Sequence, residues 1–402
     1  MAACPPDDPV APAAPPPPPI GSSGGDTGGD TGGVMHVITG LGIGGAESML
    51  AALASAEAAA GAPPDVVSLT PGGPMAARLR AAGVTVTDLA MAPGRPDPRG
   101  VLRLARLIRR RRPAVVQGWM YHANLAATAA LALSGRRRRT MFFWGIRCSD
   151  MDLDTHGFGL RLAVRAGALL SRRPNAILCN SEAGIAVHRA LGYRPRHFVL
   201  VDNGIDTARF RPDPDARAAL RAALGIAPQA PVVVGAARVD PMKDNPTLLA
   251  ALDLLRAQRP GIVVLVMGTG VETALPDRPD LIRLGRRDDP ARVFSAGDLV
   301  VSSSAYGEGF SNVLAEGMAC GLSAAATDVG DARRIVGDTG AIVAPRDLAA
   351  LAAAIARLID DPGRVVRGCA ARRRIVENFS LTRAVTKFRT LYADARAAQQ
   401  NR

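Results

Sequence analysis

The stretch EGFSNVLAEGMACG, from Glu308 to Gly321, carries two carboxylates inside a run of small and apolar residues. It follows DLVVSSSAYG, a β-branched run that leads into a glycine-flanked loop. A strand ending there delivers Glu308 to the carboxyl edge of a sheet, and Ser311 or Asn312 can cap the helix that follows. The backbone N–H groups of Gly309, Phe310, Ser311 and Asn312 would then form an anion site at a helix start. Glu316 lies a little over one turn into that helix, where a carboxylate can accept two hydrogen bonds from the vicinal hydroxyls of a ribose. Each acid taken singly is better explained by the helix dipole or by solvation.

A second stretch, GAARVDPMKDNPTLL, places Arg238 at the end of another strand and Lys243 just before a helix that Asp244 or Asn245 can cap. Two cations in such a loop suit a diphosphate that gains charge as its leaving-group bond breaks. An ordinary solvated loop explains them equally well. Near the start, GLGIGGAESML satisfies G-x-G-x-x-G through Gly40, Gly42 and Gly45, which lets backbone approach a phosphate. A dinucleotide site also needs an acid at the end of the second strand, and DVVSLT ends instead in Thr70 before Pro-Gly-Gly. A nicotinamide oxidoreductase therefore leaves the second half of the chain unexplained.

The elements that must position these groups follow one pattern. From VMHVIT onward, β-branched runs alternate with alanine-rich helical segments, the signature of a doubly wound parallel sheet. Strands are expected at VMHVIT, DVVSLT, VTVTDL, AVVQG, TMFFW, NAILCN and HFVLV. VDNGIDTARFRPDPDA breaks the alternation as a linker, after which it restarts with PVVVG, GIVVLVMG, LIRLG, DLVVSSS, SAAAT and AIVAP. The fold class expected is α/β, two Rossmann-like domains facing across a cleft, with ligands at strand carboxyl ends. The expected domains are a disordered Pro/Gly-rich tail at 1–33, Rossmann-like domains at 34–205 and 206–380, and a helix at 381–402 that crosses back to the first domain.

Composition limits the alternatives. The 402 residues are 48% hydrophobic, enough for substantial cores, and hold no apolar run of a membrane span's length. Five scattered cysteines with no CxxC pair argue against a zinc site and fit a reducing compartment, so cytoplasm is the expected location. The formal charge of +13 is concentrated in residues 34–205, which hold 22 Arg against 10 Asp and Glu. Two runs, RLIRRRRP and GRRRRT, could meet nucleic acid or lipid headgroups, but no aromatic residues interleave for base stacking.

Glu308 and Glu316 in EGFSNVLAEGMACG…ATDVG, with Arg238 and Lys243 upstream and GIGGAE near the start, resemble glycosyltransferase family 4. The similarity runs from about Met35 to about Tyr392 and includes NSEAG and NGIDTARF. WMYHANLAATAA and WGIR resemble a bacterial branch that builds surface polysaccharides and exopolysaccharides. The resemblance implies the GT-B fold and metal-independent, retaining transfer from a UDP- or GDP-type sugar, with no cofactor. Arg238 and Lys243 would hold the donor diphosphate, Glu316 the ribose and Glu308 the transferring sugar. Amides of Gly309, Phe310 and Ser311 would touch phosphate or sugar, and Gly44 and Gly45 would admit the donor phosphate. His122 matches a position near the transferred sugar, although a lone histidine after a strand is more often structural.

The implied partners are a nucleotide-sugar donor and a glycan or lipid-linked acceptor, with an anionic membrane surface expected and nucleic acid not. A peripheral place on the cytoplasmic face of the inner membrane follows from those partners. The sequence departs from the family in EGFSN, GLSAAATD and Asn245, none of which touches the charge contacts. Rival readings are a nucleotide-sugar epimerase on the same fold and a basic membrane- or nucleic-acid-binding protein. DMDLD at 150–154 is read as acceptor-side or structural.

Overall fold

The computed structural model describes residues 33–92, 97–149, 157–236 and 238–400. The proposed tail and DMDLD lie outside the described residues, apart from Gly33. The described residues divide into two compact units, one within 204–380 and one joining those within 33–203 to those of 381–400.

The first unit holds strands β1 (Val34–Ile38), β2 (Asp65–Ser68), β3 (Thr85–Asp88), β4 (Val115–Trp119), β5 (Met141–Ile146), β6 (Ala176–Cys179) and β7 (Phe198–Leu200). Its helices are α1 (Gly45–Ala59), α2 (Pro74–Ala81), α3 (Pro98–Arg111), α4 (Tyr121–Leu133), α5 (Phe158–Leu170) and α6 (Glu182–Ala190). All pairings are parallel, in the order β3-β2-β1-β4-β5-β6-β7. The central strands β1, β4, β5 and β6 are buried along almost their whole length because both faces of the sheet are covered. Met35 and Val37 face one core while Val34 and Ile38 face the other, as the two-residue repeat of a strand requires.

The second unit repeats the plan with β8 (Val232–Ala236), β9 (Val263–Met267), β10 (Leu281–Gly285), β11 (Leu299–Ser302), β12 (Ser323–Thr327) and β13 (Ala341–Val343). Its helices are α7 (Pro214–Ala223), α8 (Asn245–Gln258), α9 (Val271–Ala274), α10 (Pro290–Ala296), α11 (Asn312–Ala319), α12 (Ala332–Val336), α13 (Leu348–Asp360) and α14 (Arg364–Phe379). The order is β10-β9-β8-β11-β12-β13, again all parallel. Val232 and Val234 enter one core and Val233 the other. Proline opens α2, α3, α7, α8 and α10, where its missing N–H leaves no helical bond unmade. In both sheets the strand order reverses beside the first strand, between β1 and β4 and between β8 and β11. That reversal opens a crevice at the strand carboxyl ends.

The last helix, α15 (Leu381–Gln400), packs on the first unit. Ala384, Val385, Phe388 and Tyr392 are buried with β1, β4 and β5 side chains. The Tyr392 hydroxyl donates to Gln117 Oε1, and the Phe388 ring lies 6.0 Å from that of Trp119.

The arginine runs differ from one another. Arg109, Arg110 and Arg111 form the exposed last turn of α3, and Arg112 closes it in the left-handed region at φ 49°. The second run lies beyond the end of α4 and is not uniformly exposed. Arg136 is buried, and Arg137 donates to the Arg173 carbonyl.

Candidate active site

Two loops meet at the switch point of the second sheet. The loop after β8 passes through Arg238, Asp240 and a single 3-10 turn, Pro241–Lys243, into α8. Asp240 shapes this turn by accepting the Met242 N–H at 3.0 Å, and it pairs with Arg238 at 2.8 Å. Burial pulls the Asp240 carboxyl up, but the Met242 amide and the Arg238 guanidinium together hold it below the usual range. Asp244 sits at φ 47° and caps α8 by accepting the Thr247 amide and hydroxyl. Asp tolerates that left-handed geometry better than most residues.

The loop after β11 is tied to the first at two points. The Ala305 N–H donates to Met242 O at 2.8 Å, and the Ser303 hydroxyl donates to Lys243 O at 2.8 Å. Lys243 Nζ then makes a direct ion pair with Glu308 Oε1, which also accepts the Ser304 hydroxyl at 2.8 Å. Both side chains are largely buried, 16% exposed for Lys243 and 11% for Glu308. Beside them, a small pocket is lined by Ala236, Lys243, Asn245, Ser302, Ser303 and Ser304 among others.

Gly309, Phe310 and Ser311 carry the chain from Glu308 to the start of α11. Ser311 occupies the N-cap position without a side-chain cap bond. Gly330, at φ 62°, braces this loop from behind: a Cβ there would stand 2.3 Å from Glu308 O and 2.6 Å from Gly309 O. The Asp331 N–H donates to Gly309 O at 3.0 Å. Glu316 is half-buried on α11, and burial pushes its carboxyl up to about 7, with the Arg209 charge pulling the other way. Gly317 faces Val300, where a Cβ would meet side-chain carbon at 2.7 Å, so α11 lies close on its sheet.

Of the residues expected at a donor site, the structure joins Lys243 to Glu308 in one contact. It pairs Arg238 instead with Asp240. Ser304, Asp240 and Gly330 were not singled out in the sequence; Ser304 and Gly330 stood within the SSS and ATDVG stretches without an assigned role.

Gly44, Gly45 and His122 belong to the first unit, where the loops after β1 and β4 lie at adjacent strand ends. Gly44 is the N-cap of α1 and Gly45 its first residue. The turn at the end of β2 presses on this loop: the Thr70 N–H donates to Thr39 O at 2.9 Å, and a Cβ on Gly73 would stand 2.1 Å from Leu41 O. The end of β2 thus serves packing where a dinucleotide fold would present an acid. His122 is exposed in the first turn of α4, just after Met120 at φ 68°, and burial of part of its ring lowers its pKa.

Two doubly wound parallel sheets with their loops at the strand carboxyl ends are the architecture of GT-B glycosyltransferases. The description Glycosyltransferase Family 4 matches residues 43–209, and Glycosyl transferases group 1 matches residues 230–361. The chain belongs to this glycosyltransferase family. It is 34% identical over 215 residues to D-inositol 3-phosphate glycosyltransferase of Rhodococcus erythropolis, covering 48% of each chain. It is 32% identical over 228 residues to the enzyme of that name from Streptomyces bingchenggensis, covering 52% of this chain and 50% of that one. The chain thus spans about half the length of the curated relatives it matches.

Among solved structures, Anabaena Alr3699/HepE in complex with UDP superposes with a TM-score of 0.76 at 20% identity, covering 90% of this chain and 100% of that one. Sucrose-phosphate synthase from Thermosynechococcus elongatus gives 0.73 at 20% identity, covering 91% and 100%.

Proposed function

We propose that the protein is a retaining glycosyltransferase that moves a sugar from a UDP- or GDP-type donor to a lipid-linked or growing surface glycan. The observation that carries this reading is the Lys243–Glu308 pair, seated with Ser304 at the switch point of the second sheet. A donor diphosphate at the Gly309–Ser311 amides competes with Glu308 for Lys243. A hydroxyl of the transferring sugar competes with Lys243 for Glu308. The pair therefore exchanges partners as donor binds, and Lys243 with Arg238 faces the charge that grows on the diphosphate. Glu316 takes the ribose hydroxyls.

No carboxylate is assigned as nucleophile, so the reaction is written as a front-face substitution. The bond from the anomeric carbon to the phosphate oxygen breaks while the acceptor oxygen bonds from the same face. The acceptor proton passes to the departing phosphate oxygen. The protein contributes charge and position. Cationic side chains supply the charge a metal would otherwise bring. The first domain, with His122, is assigned to acceptor and transferring sugar.

Anabaena Alr3699/HepE has been solved with UDP and with UDP-glucose, which favours a uridine donor. The names of the curated relatives point to a different acceptor, inositol 3-phosphate, and make a soluble phosphorylated polyol the competing reading. A thermal-shift panel of UDP, GDP, ADP and their sugars tests the donor, since a ligand at 100 times its Kd adds about 2.7 kcal/mol of stability. One nucleotide should stand out from the rest. Failure of every nucleotide to raise the melting temperature would overturn the reading, and turnover of inositol 3-phosphate would overturn the glycan acceptor.

A further inference from the structure

Helix α5 turns apolar side chains toward solvent. Phe158, Leu162 and Leu169 are 79%, 55% and 86% exposed. With Arg165 they fall at positions i, i+4, i+7 and i+11, one stripe along the helix. The opposite face, Ala163, Val164 and Gly167, is buried, and Tyr193 anchors it by donating its hydroxyl to Val164 O at 3.1 Å. The exposed stripe is therefore a second face of a helix whose other side is seated in the core.

The charge around the stripe has one sign. Residues 157–175 contain four arginines and no acid. Arg165, Arg172 and Arg173 are exposed. The hydrogen bond from Arg137 to the Arg173 carbonyl brings the second arginine run to the C-terminal end of α5. Burial, with Arg196 and Arg173 close by, holds Arg137 below the usual arginine range, so cations crowd together here.

We propose that α5 is an in-plane membrane-docking helix: Phe158, Leu162 and Leu169 enter the headgroup–acyl boundary of an anionic bilayer while Arg165, Arg172, Arg173 and the Arg137 cluster bind its phosphates. Singly spaced apolar side chains with arginine among them match an interfacial helix. Arginine stems can lie along the apolar boundary with their heads in water. A polybasic fringe selects anionic over neutral lipid. The arginine run at the end of α3 is not needed. The inference rests on the reading that the acceptor is presented at a lipid surface, and it names the surface that would reach it.

The whole 402-residue chain is tested by flotation with phosphatidylcholine vesicles, with and without phosphatidylglycerol. The wild type should float with the anionic vesicles and less so at high salt. The triple variant Phe158→Ser/Leu162→Ser/Leu169→Ser should lose about tenfold or more in partitioning at every salt concentration. The variant Arg165→Gln/Arg172→Gln/Arg173→Gln should lose the preference for anionic lipid. Circular dichroism and the nucleotide-induced thermal shift should match wild type in both, since the substituted side chains are exposed. Flotation of the triple variant like wild type would overturn the proposal, as would equal recovery on neutral vesicles. So would a wild-type dimer that the triple variant dissolves with no change in flotation, because the stripe would then cover a second copy. Lost flotation contrast with an intact nucleotide shift rejects only this surface. A missing nucleotide shift with intact contrast rejects only the donor reading.

Discussion

Lys243 and Glu308 touch although 65 residues separate them in the chain. One closes the loop after β8 and the other lies within the loop after β11, so their ion pair spans the point where the strand order of the second sheet reverses. Backbone and serine bonds between the two loops fix the approach independently of the pair itself. The charges are thus held in place by the fold, as transition-state stabilisation requires.

Lys243→Ala should lower kcat about 100-fold or more, with a smaller change in KM, because its charge matters most as the diphosphate leaves. Steady-state kinetics with the nucleotide sugar found in the thermal-shift panel measure the split. Equal losses in kcat and ground-state affinity would reduce Lys243 to a positioning group.

Ser304→Ala removes the hydroxyl that donates to Glu308 Oε1 while leaving the ion pair. A hydrogen bond to a charged group is worth about 1.5–3 kcal/mol, so its loss at this buried serine should lower the melting temperature, and turnover should fall roughly tenfold or more. Turnover equal to wild type would show that Lys243 alone sets the carboxylate.

Glu316 gives the apo protein a pH signature. Its folded-state pKa is raised from 4.5 to about 7, so the native state keeps a proton that the unfolded chain has released. Stability should therefore fall as pH rises from about 4.5 to about 7 and level off above. Glu316→Gln should remove that slope and leave the apo fold more stable than wild type above pH 7. The ionised carboxylate is the better ribose acceptor, so wild-type donor affinity should rise with pH across the same window. The variant should bind donor weakly throughout, by about 1–3 kcal/mol. Melting curves and titration calorimetry at several pH values check both slopes.

Gly330→Ala should displace the Glu308–Gly309 loop, because φ of 62° and two carbonyl oxygens leave no room for a Cβ. The backbone strain costs about 1–3 kcal/mol of stability, and donor affinity should fall with it. A melting temperature and donor affinity equal to wild type would show that the loop is not braced there.

Phe388→Ala should cost about 3–5 kcal/mol, since a fully buried ring on α15 is lost from the core of the first unit. Chemical denaturation followed by the fluorescence of Trp119 and Trp144, both buried in the first unit, reports it.

The fold was legible because buried parallel strands are written as short β-branched runs, and every strand from VMHVIT to AIVAP stands where such a run does. The site was legible only as separate pieces. Lys243 and Glu308 were each assigned to a substrate group, and one-dimensional spacing could not show that they answer each other across a switch point. Arg238 read as a bare cation because the bond to Asp240 depends on the turn that Asp240 itself shapes. The second arginine run reads as a cluster open to lipid headgroups, whereas Arg136 is buried and Arg137 holds a backbone carbonyl. The stripe on α5 escaped notice because an outward apolar face has the same periodicity as an inward one. Only the seating of the helix tells them apart.

The central claim is that donor binds at the carboxyl edge of the second sheet. Hydrogen exchange with and without UDP, followed by mass spectrometry, tests it most directly. Protection is predicted at residues 238–245 and 304–316, the two loops and the first turns of α8 and α11. Protection confined to the glycine loop after β1, with those two segments exchanging as before, would contradict the account.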